Sequence, residues 1–188
     1  MNLLKIITVF TVGHSITLLA GALGWFYIPS QPIEILIAFS ILMSAIHALR
    51  PIFPGREIYA AATFGLIHGL AFANTLTNLN LDAGQMVLSI LGFNIGIELM
   101  QLFVVAMIVP WLILLCWSNS YKGVRIGGAV FAGIAAIAWM TERILNQPNP
   151  ITRAIEGLVI YAPWMIGALA LVAVAYSSLF RMRTVNGK

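Results

Sequence analysis

Three histidines and one glutamate stand inside long apolar runs, at His14, His47, His68 and Glu98. An ionisable side chain at the centre of a bilayer costs at least about 2.5–3.5 kcal/mol on insertion scales, so each such group is a candidate for function. Their neighbours are polar as well. Asn94, Glu98 and Gln101 recur at i, i+4 and i+7, which puts an amide, a carboxylate and a second amide on one helix face. Thr11, His14, Ser15 and Leu18 share a face of the first run, Ser40, Ser44 and His47 share one of the second, and Thr63 precedes His68. Neutral imidazoles and a carboxylate, with amide and hydroxyl oxygens, suit a divalent transition metal such as Ni, Co, Zn or Fe(II). The candidate metal-ligating set is therefore His14, His68, Glu98, Asn94, Gln101 and Ser15, with His47 as an outlying member.

Each feature has a plainer reading. A lone intramembrane histidine can serve as a helix–helix hydrogen-bond donor, and a buried glutamate can be protonated and bonded to a neighbour. For His47, near a helix end and within reach of water, the structural reading is the stronger. The pairs Gly65/Gly69 and Gly92/Gly96 have Gly-x-x-x-Gly spacing, which lets helix backbones approach closely. They would allow the third and fourth helices to bring His68 and Glu98 together, or serve packing alone. Hydrolytic chemistry is the least supported. Ser15 is adjacent to His14, but neighbours on a helix point about 100° apart, and no Gly-x-Ser-Gly run of an intramembrane serine protease is present. The residues thus point away from an enzyme and from a permanently bound cofactor, and toward a divalent metal ion as substrate. A structural or accessory role and an intramembrane zinc hydrolase are the alternatives.

The elements that position these residues follow from composition. Of 188 residues, 61% are hydrophobic and 9% charged, far below the roughly 25% charge of a soluble domain. An all-α polytopic membrane protein follows, because only helices satisfy their own backbone groups in lipid without closing a barrel. Six runs approach the roughly 20 residues needed to span: Leu4 to Trp25, Ile33 to Leu49, Ile58 to Thr75, an overlong Met86 to Trp117, Val124 to Met140, and Leu158 to Leu179. The first run is longer than a signal-peptide core and is read as a helix rather than a cleaved leader. Breakers fill the connectors: Pro29 and Pro32, Pro51, Pro54 and Gly55, the stretch Asn78 to Gly84, and Pro148 with Pro150. Pro110 and Pro163 fall within or at the start of runs, where they kink or end a helix. No linker divides the chain, so residues 1–188 form one transmembrane domain.

The basic residues read as topology signals. With the N-terminus inside, Lys5, Arg50, Arg56, Lys122, Arg125, Arg181, Arg183 and Lys188 lie on the inner side and only Arg143 and Arg153 on the outer. The positive-inside rule then makes both termini cytoplasmic, in a cell inner membrane. The net charge of +4 comes with no basic cluster of the kind a nucleic-acid backbone requires. The single Cys116 rules out an intramolecular disulfide framework and a cysteine metal cluster. Expected partners are the lipid bilayer, a divalent metal ion, and further helices from a second copy or another chain.

Four runs in order, Phe10-Thr-Val-Gly-His-Ser-Ile-Thr-Leu18, Glu34-Ile-Leu-Ile-Ala-Phe-Ser-Ile41, Phe64-Gly-Leu-Ile-His-Gly-Leu-Ala-Phe-Ala73 and Phe93-Asn-Ile-Gly-Ile-Glu-Leu-Met-Gln101, resemble the HupE/UreJ family of membrane proteins. The resemblance implies a nickel or cobalt permease, or a metal-supply accessory of hydrogenase or urease systems. On it, His14, His68 and Glu98, with Asn94 and Gln101, would form the polar core of the path. Members usually begin with a further helical hairpin holding a His and an Asp-His-Leu-Leu-Phe run. No such run precedes Phe10 in this sequence, so the expected ligands of that hairpin would have to come from elsewhere or be dispensed with.

Overall fold

The computed structural model describes residues 3–25, 28–77, 82–116 and 119–186. The described residues are almost entirely helical: α1 (Leu3–Ala22), α2 (Ser30–Leu49), α3 (Glu57–Thr77), α4 (Ala83–Leu115), α5 (Asn119–Leu145), α6 (Pro150–Leu158) and α7 (Ala162–Asn186). A 3₁₀ turn, Val159–Tyr161, joins α6 to α7, so six helical rods result.

Local chemistry sets several boundaries. Pro32 sits in the first turn of α2, where its missing N–H would have no partner anyway. Asp82 and Gln85 form a capping box at the start of α4, the Gln85 backbone N–H donating to Asp82 Oδ1 at 2.9 Å. Asn149 caps α6 by accepting from the Ile151 N–H at 2.9 Å, with Pro150 at the first helical position. The 3₁₀ turn comes just before Pro163, whose ring cannot continue the preceding α-helical hydrogen-bond pattern. That segment begins at Pro150 rather than at the expected Leu158, because Arg153 and Glu156 lower the hydropathy of a turn that is helical nonetheless. The connector expected over Asn78 to Gly84 lies mostly outside the described residues, as do Trp117 at the end of the fourth run and Lys188.

Among the described residues, five helical stretches are long and apolar enough to cross a membrane: Leu3–Ala22, Ser30–Leu49, Gly84–Leu115, Ser120–Leu145 and Pro150–Tyr176. The third of the six expected spans, α3 with its 21 residues, is apolar over the shorter stretch Glu57–Ala73. At the other extreme, the 33 residues of α4 extend about 50 Å at 1.5 Å per residue, more than a hydrocarbon core of about 30 Å. α4 must tilt or protrude.

The glycines explain which helices touch. α1 and α3 form the most extensive pair and run parallel. A Cβ on Gly13 would lie 2.7 Å from the Ala62 carbonyl oxygen, and Cβ atoms on Gly65 and Gly69 would collide with the carbonyl oxygens of Phe10 and His14. Thr17 Oγ1 closes the seam by donating to the Leu66 carbonyl at 2.7 Å. In contrast, nothing lies within 4 Å of a Cβ built on Gly92 or Gly96, which line a shallow groove with Ser89 and Met100. The two Gly-x-x-x-Gly pairs therefore do not face each other, and α3 packs on α1 instead of α4. Close approach is encoded in the spacing, but the identity of the partner is not.

α4 packs antiparallel on α1, with Gln101 near Thr11 and Phe93 near His14. α2 packs antiparallel on α5 through Gly133, Ala45 and Leu42, and contacts α3 as well. At one end of that pair Arg143 Nε lies 2.5 Å from Glu34 Oε2, while Gln31 Nε2 donates to the Arg143 carbonyl at 2.7 Å. These directions put the start of α1, the end of α2 and the start of α3 on one face, called the basic face below for Lys5, Arg50 and Arg56. A small core of Leu18, Ala22, Ala73 and Ile90, with Met86 and Phe93 against it, lies toward the opposite face. Large apolar side chains such as Leu88, Phe103, Trp164 and Leu171 are exposed, the surface of a protein solvated by lipid.

Candidate functional site

The α1/α3 seam decides where the imidazoles go. Gly65 and Gly69 bring the α3 backbone against that of α1 beside Phe10 and His14. His68 lies on the same stretch of α3, and Phe10 touches both rings. It stacks on His14 at a centroid distance of 6.3 Å and meets His68 edge-on at 5.2 Å. Phe72 (5.8 Å) and Phe93 (5.9 Å) add two more rings around His14, and they touch each other at 4.6 Å.

His14 is 1% exposed, and neither ring nitrogen has a hydrogen-bond partner. A buried polar group left unsatisfied costs about 1–3 kcal/mol, which an apolar residue of similar size would not incur. His68 is half-buried, and its Nδ1 lies 2.7 Å from the Phe64 carbonyl oxygen. A carbonyl only accepts, so Nδ1 carries the proton and Nε2 presents its lone pair. That arrangement, one ring N–H held by a backbone carbonyl and the other nitrogen free, is the usual one for a metal-ligating histidine.

The α4 residues approach the same region. Gln101 Oε1 is 3.4 Å from Thr11 Oγ1, Asn94 Oδ1 is buried without a partner, and Glu98 is half-buried between those two levels. Ser15 Oγ donates to the Thr11 carbonyl at 2.7 Å. Its proton is directed to its own helix and not to an imidazole, leaving lone pairs as its only free function. Among the described residues no three His, Cys, Asp or Glu side chains converge as a metal-binding group, so Glu98 does not complete a three-residue cage with His14 and His68. His47 is engaged elsewhere. Its Nδ1 accepts from the Ile52 N–H at 3.2 Å and its ring stacks on Phe53 at 4.0 Å, clamping the turn after α2.

A cavity of about 360 Å³ runs from His68 along Phe10, Ser40, Ser44 and Gln101 to Ile6. Sequence reasoning missed the aromatic wall around His14, although its signal was present: Phe10 and His14, then Phe64, His68 and Phe72, recur at intervals of four. It grouped Ser40 and Ser44 with His47, whereas they share the cavity with His68.

Chemically, the site offers two imidazoles, one with its tautomer fixed, plus amide and hydroxyl oxygens. Such a set suits a borderline divalent cation.

A family model described as HupE / UreJ protein matches residues 1–143. No curated protein and no solved structure matches the chain.

Proposed function

The chain belongs to the HupE/UreJ family, and on that premise we propose that it is a permease that binds a divalent transition-metal cation, nickel or cobalt, at His14 and His68 and passes it across the bilayer. The observation that carries this reading is the buried His14 ring with both nitrogens unpartnered, beside a His68 whose Nε2 is left free by the bond to Phe64. A purely structural histidine would find a hydrogen-bond partner, since leaving it without one destabilises the fold. Glu98, Asn94 and Gln101 supply oxygens along α4, and Glu98 offsets part of the cation's charge. Ser15 contributes hydroxyl lone pairs. The basic face, bearing Lys5, Arg50 and Arg56, is cytoplasmic by the positive-inside rule, which places both termini inside a cell inner membrane.

Uptake of nickel into liposomes containing the purified protein tests the reading. The wild type should show saturable uptake. His68→Ala and Glu98→Gln should lower it by about 10–100-fold, the range typical of disturbing a metal site's immediate surroundings. Uptake by both variants at the wild-type level would refute it. An accessory role, in which the ion is held and handed on without crossing, would give nickel binding without uptake.

A further inference from the structure

The residues that line the cavity beside His68 lie toward one end of the helices and not the other. Its lining includes Ile6 near the start of α1, Ser44 near the end of α2 and Ala61 near the start of α3, all toward the basic face. From Ala61 to His68 the helix rises about 10 Å, so the cavity reaches well into the bilayer. Its polar groups converge. Ser40, Ser44, His68 and Gln101 all border it, and the two serines donate to their own helix, at Ile37 and Ser40 carbonyls, which leaves their oxygen lone pairs unspent. Past His68 the neighbours are apolar. Phe10 lies against both imidazoles, Phe72 and Phe93 pack on His14, and Leu18, Ala22, Ala73 and Ile90 form a core toward the opposite face.

We propose that this cavity is an aqueous vestibule for a hydrated divalent cation, open to the basic face, with Ser40 and Ser44 as oxygen ligands, and that Phe10 is the barrier separating His68 in the vestibule from His14 in a sealed chamber. Lys5, Arg50 and Arg56 on that face depress the local concentration of cations, so the vestibule is suited to discharge more than to capture. The cargo rests on the permease reading above; the vestibule and the barrier do not.

Thiol accessibility separates the two. In a Cys116→Ser background, Ser44→Cys, His68→Cys, His14→Cys and the lipid-facing Val12→Cys are treated with a charged, membrane-impermeant methanethiosulfonate. Only a hydrated thiolate reacts, and a rise of about two units in thiol pKa on burial in lipid lowers the thiolate about 100-fold. Ser44→Cys and His68→Cys should therefore react about 100-fold faster than Val12→Cys, and only from the basic face. His14→Cys should stay inert until Phe10→Ala is added, with Phe10→Leu as the milder second variant should the alanine protein fail to fold. Reaction of Ser44→Cys as slow as that of Val12→Cys, or of His14→Cys with Phe10 intact, would overturn the proposal. Nickel should protect Ser44→Cys. Fast labelling of Ser44→Cys without protection would uphold the vestibule but refute the serine ligands and count against the metal reading.

Discussion

Replacing glycines one at a time with alanine should separate the two Gly-x-x-x-Gly pairs by sign. At Gly13 the new methyl carbon would start 2.7 Å from the Ala62 carbonyl oxygen and 3.2 Å from the Leu66 nitrogen. Real contacts of this kind lie beyond 3.0 Å, and both neighbours are backbone, so α1 and α3 would have to separate by at least about 0.3 Å along the whole seam. At Gly65 and Gly69 the overlap is with the backbone oxygens of Phe10 and His14 and is more severe. Overpacking of this kind costs about 1–3 kcal/mol, a factor of roughly 5–150 in the folding equilibrium. Membrane helices are held by packing rather than by a hydrophobic driving force between them, so the loss is not recovered elsewhere. At Gly92 and Gly96 the same substitution meets nothing within 4 Å and should be neutral or stabilising by up to about 1 kcal/mol through helix propensity. Unfolding of the detergent-purified protein, followed by tryptophan fluorescence, measures both. Equal destabilisation by Gly65→Ala and Gly92→Ala would refute the assignment of the seam to α1 and α3. Because Gly65 packs where Phe10 and His14 lie, its alanine variant should also weaken nickel binding, whereas Gly92→Ala should not.

Three further predictions follow from the same geometry. His14→Leu removes a buried imidazole with no partner and should raise metal-free stability by about 1–3 kcal/mol while abolishing the nickel-induced rise in Tm; a lower metal-free Tm would show that His14 has a structural partner. His47→Ala should cost about 1 kcal/mol, the value of an ordinary hydrogen bond, by releasing the turn at Ile52 and Phe53, and should leave nickel uptake unchanged. Glu34→Gln should cost no more than about 1 kcal/mol, because the pair with Arg143 is partly open to its surroundings, with side chains 29% and 41% exposed, and such pairs contribute little; a double-mutant cycle with Arg143→Gln checks this.

Much of the fold was legible because the bilayer demands long, self-satisfied helices, and runs such as Ser30–Leu49 carry that demand openly. The break before Pro163 was legible for an equally local reason, a ring that cannot continue the helix. What stayed hidden is partnership. Gly65 and Gly69 announce a close approach without naming α1, and Gly92 and Gly96 make the same announcement with no neighbour to receive it among the described residues. The candidate site divides along the same line. His14 and His68 could be singled out because charge-capable groups are costly in lipid, but the part played by Phe10, lying against both, emerged only when α1 and α3 were seen to run parallel with their glycines in contact. His47 shows the converse: its type suggested a ligand, while its position at the end of α2 commits it to the following turn.

The central claim is that the two imidazoles on the α1/α3 seam hold the cation. Titration of nickel into the purified wild type, His14→Leu, His68→Ala and His47→Ala, followed by calorimetry, tests it most directly. Saturable binding in the wild type and His47→Ala, with affinity lost by about 10–100-fold or more in each of the other two, is the predicted result. Equal affinity in all four proteins would contradict it.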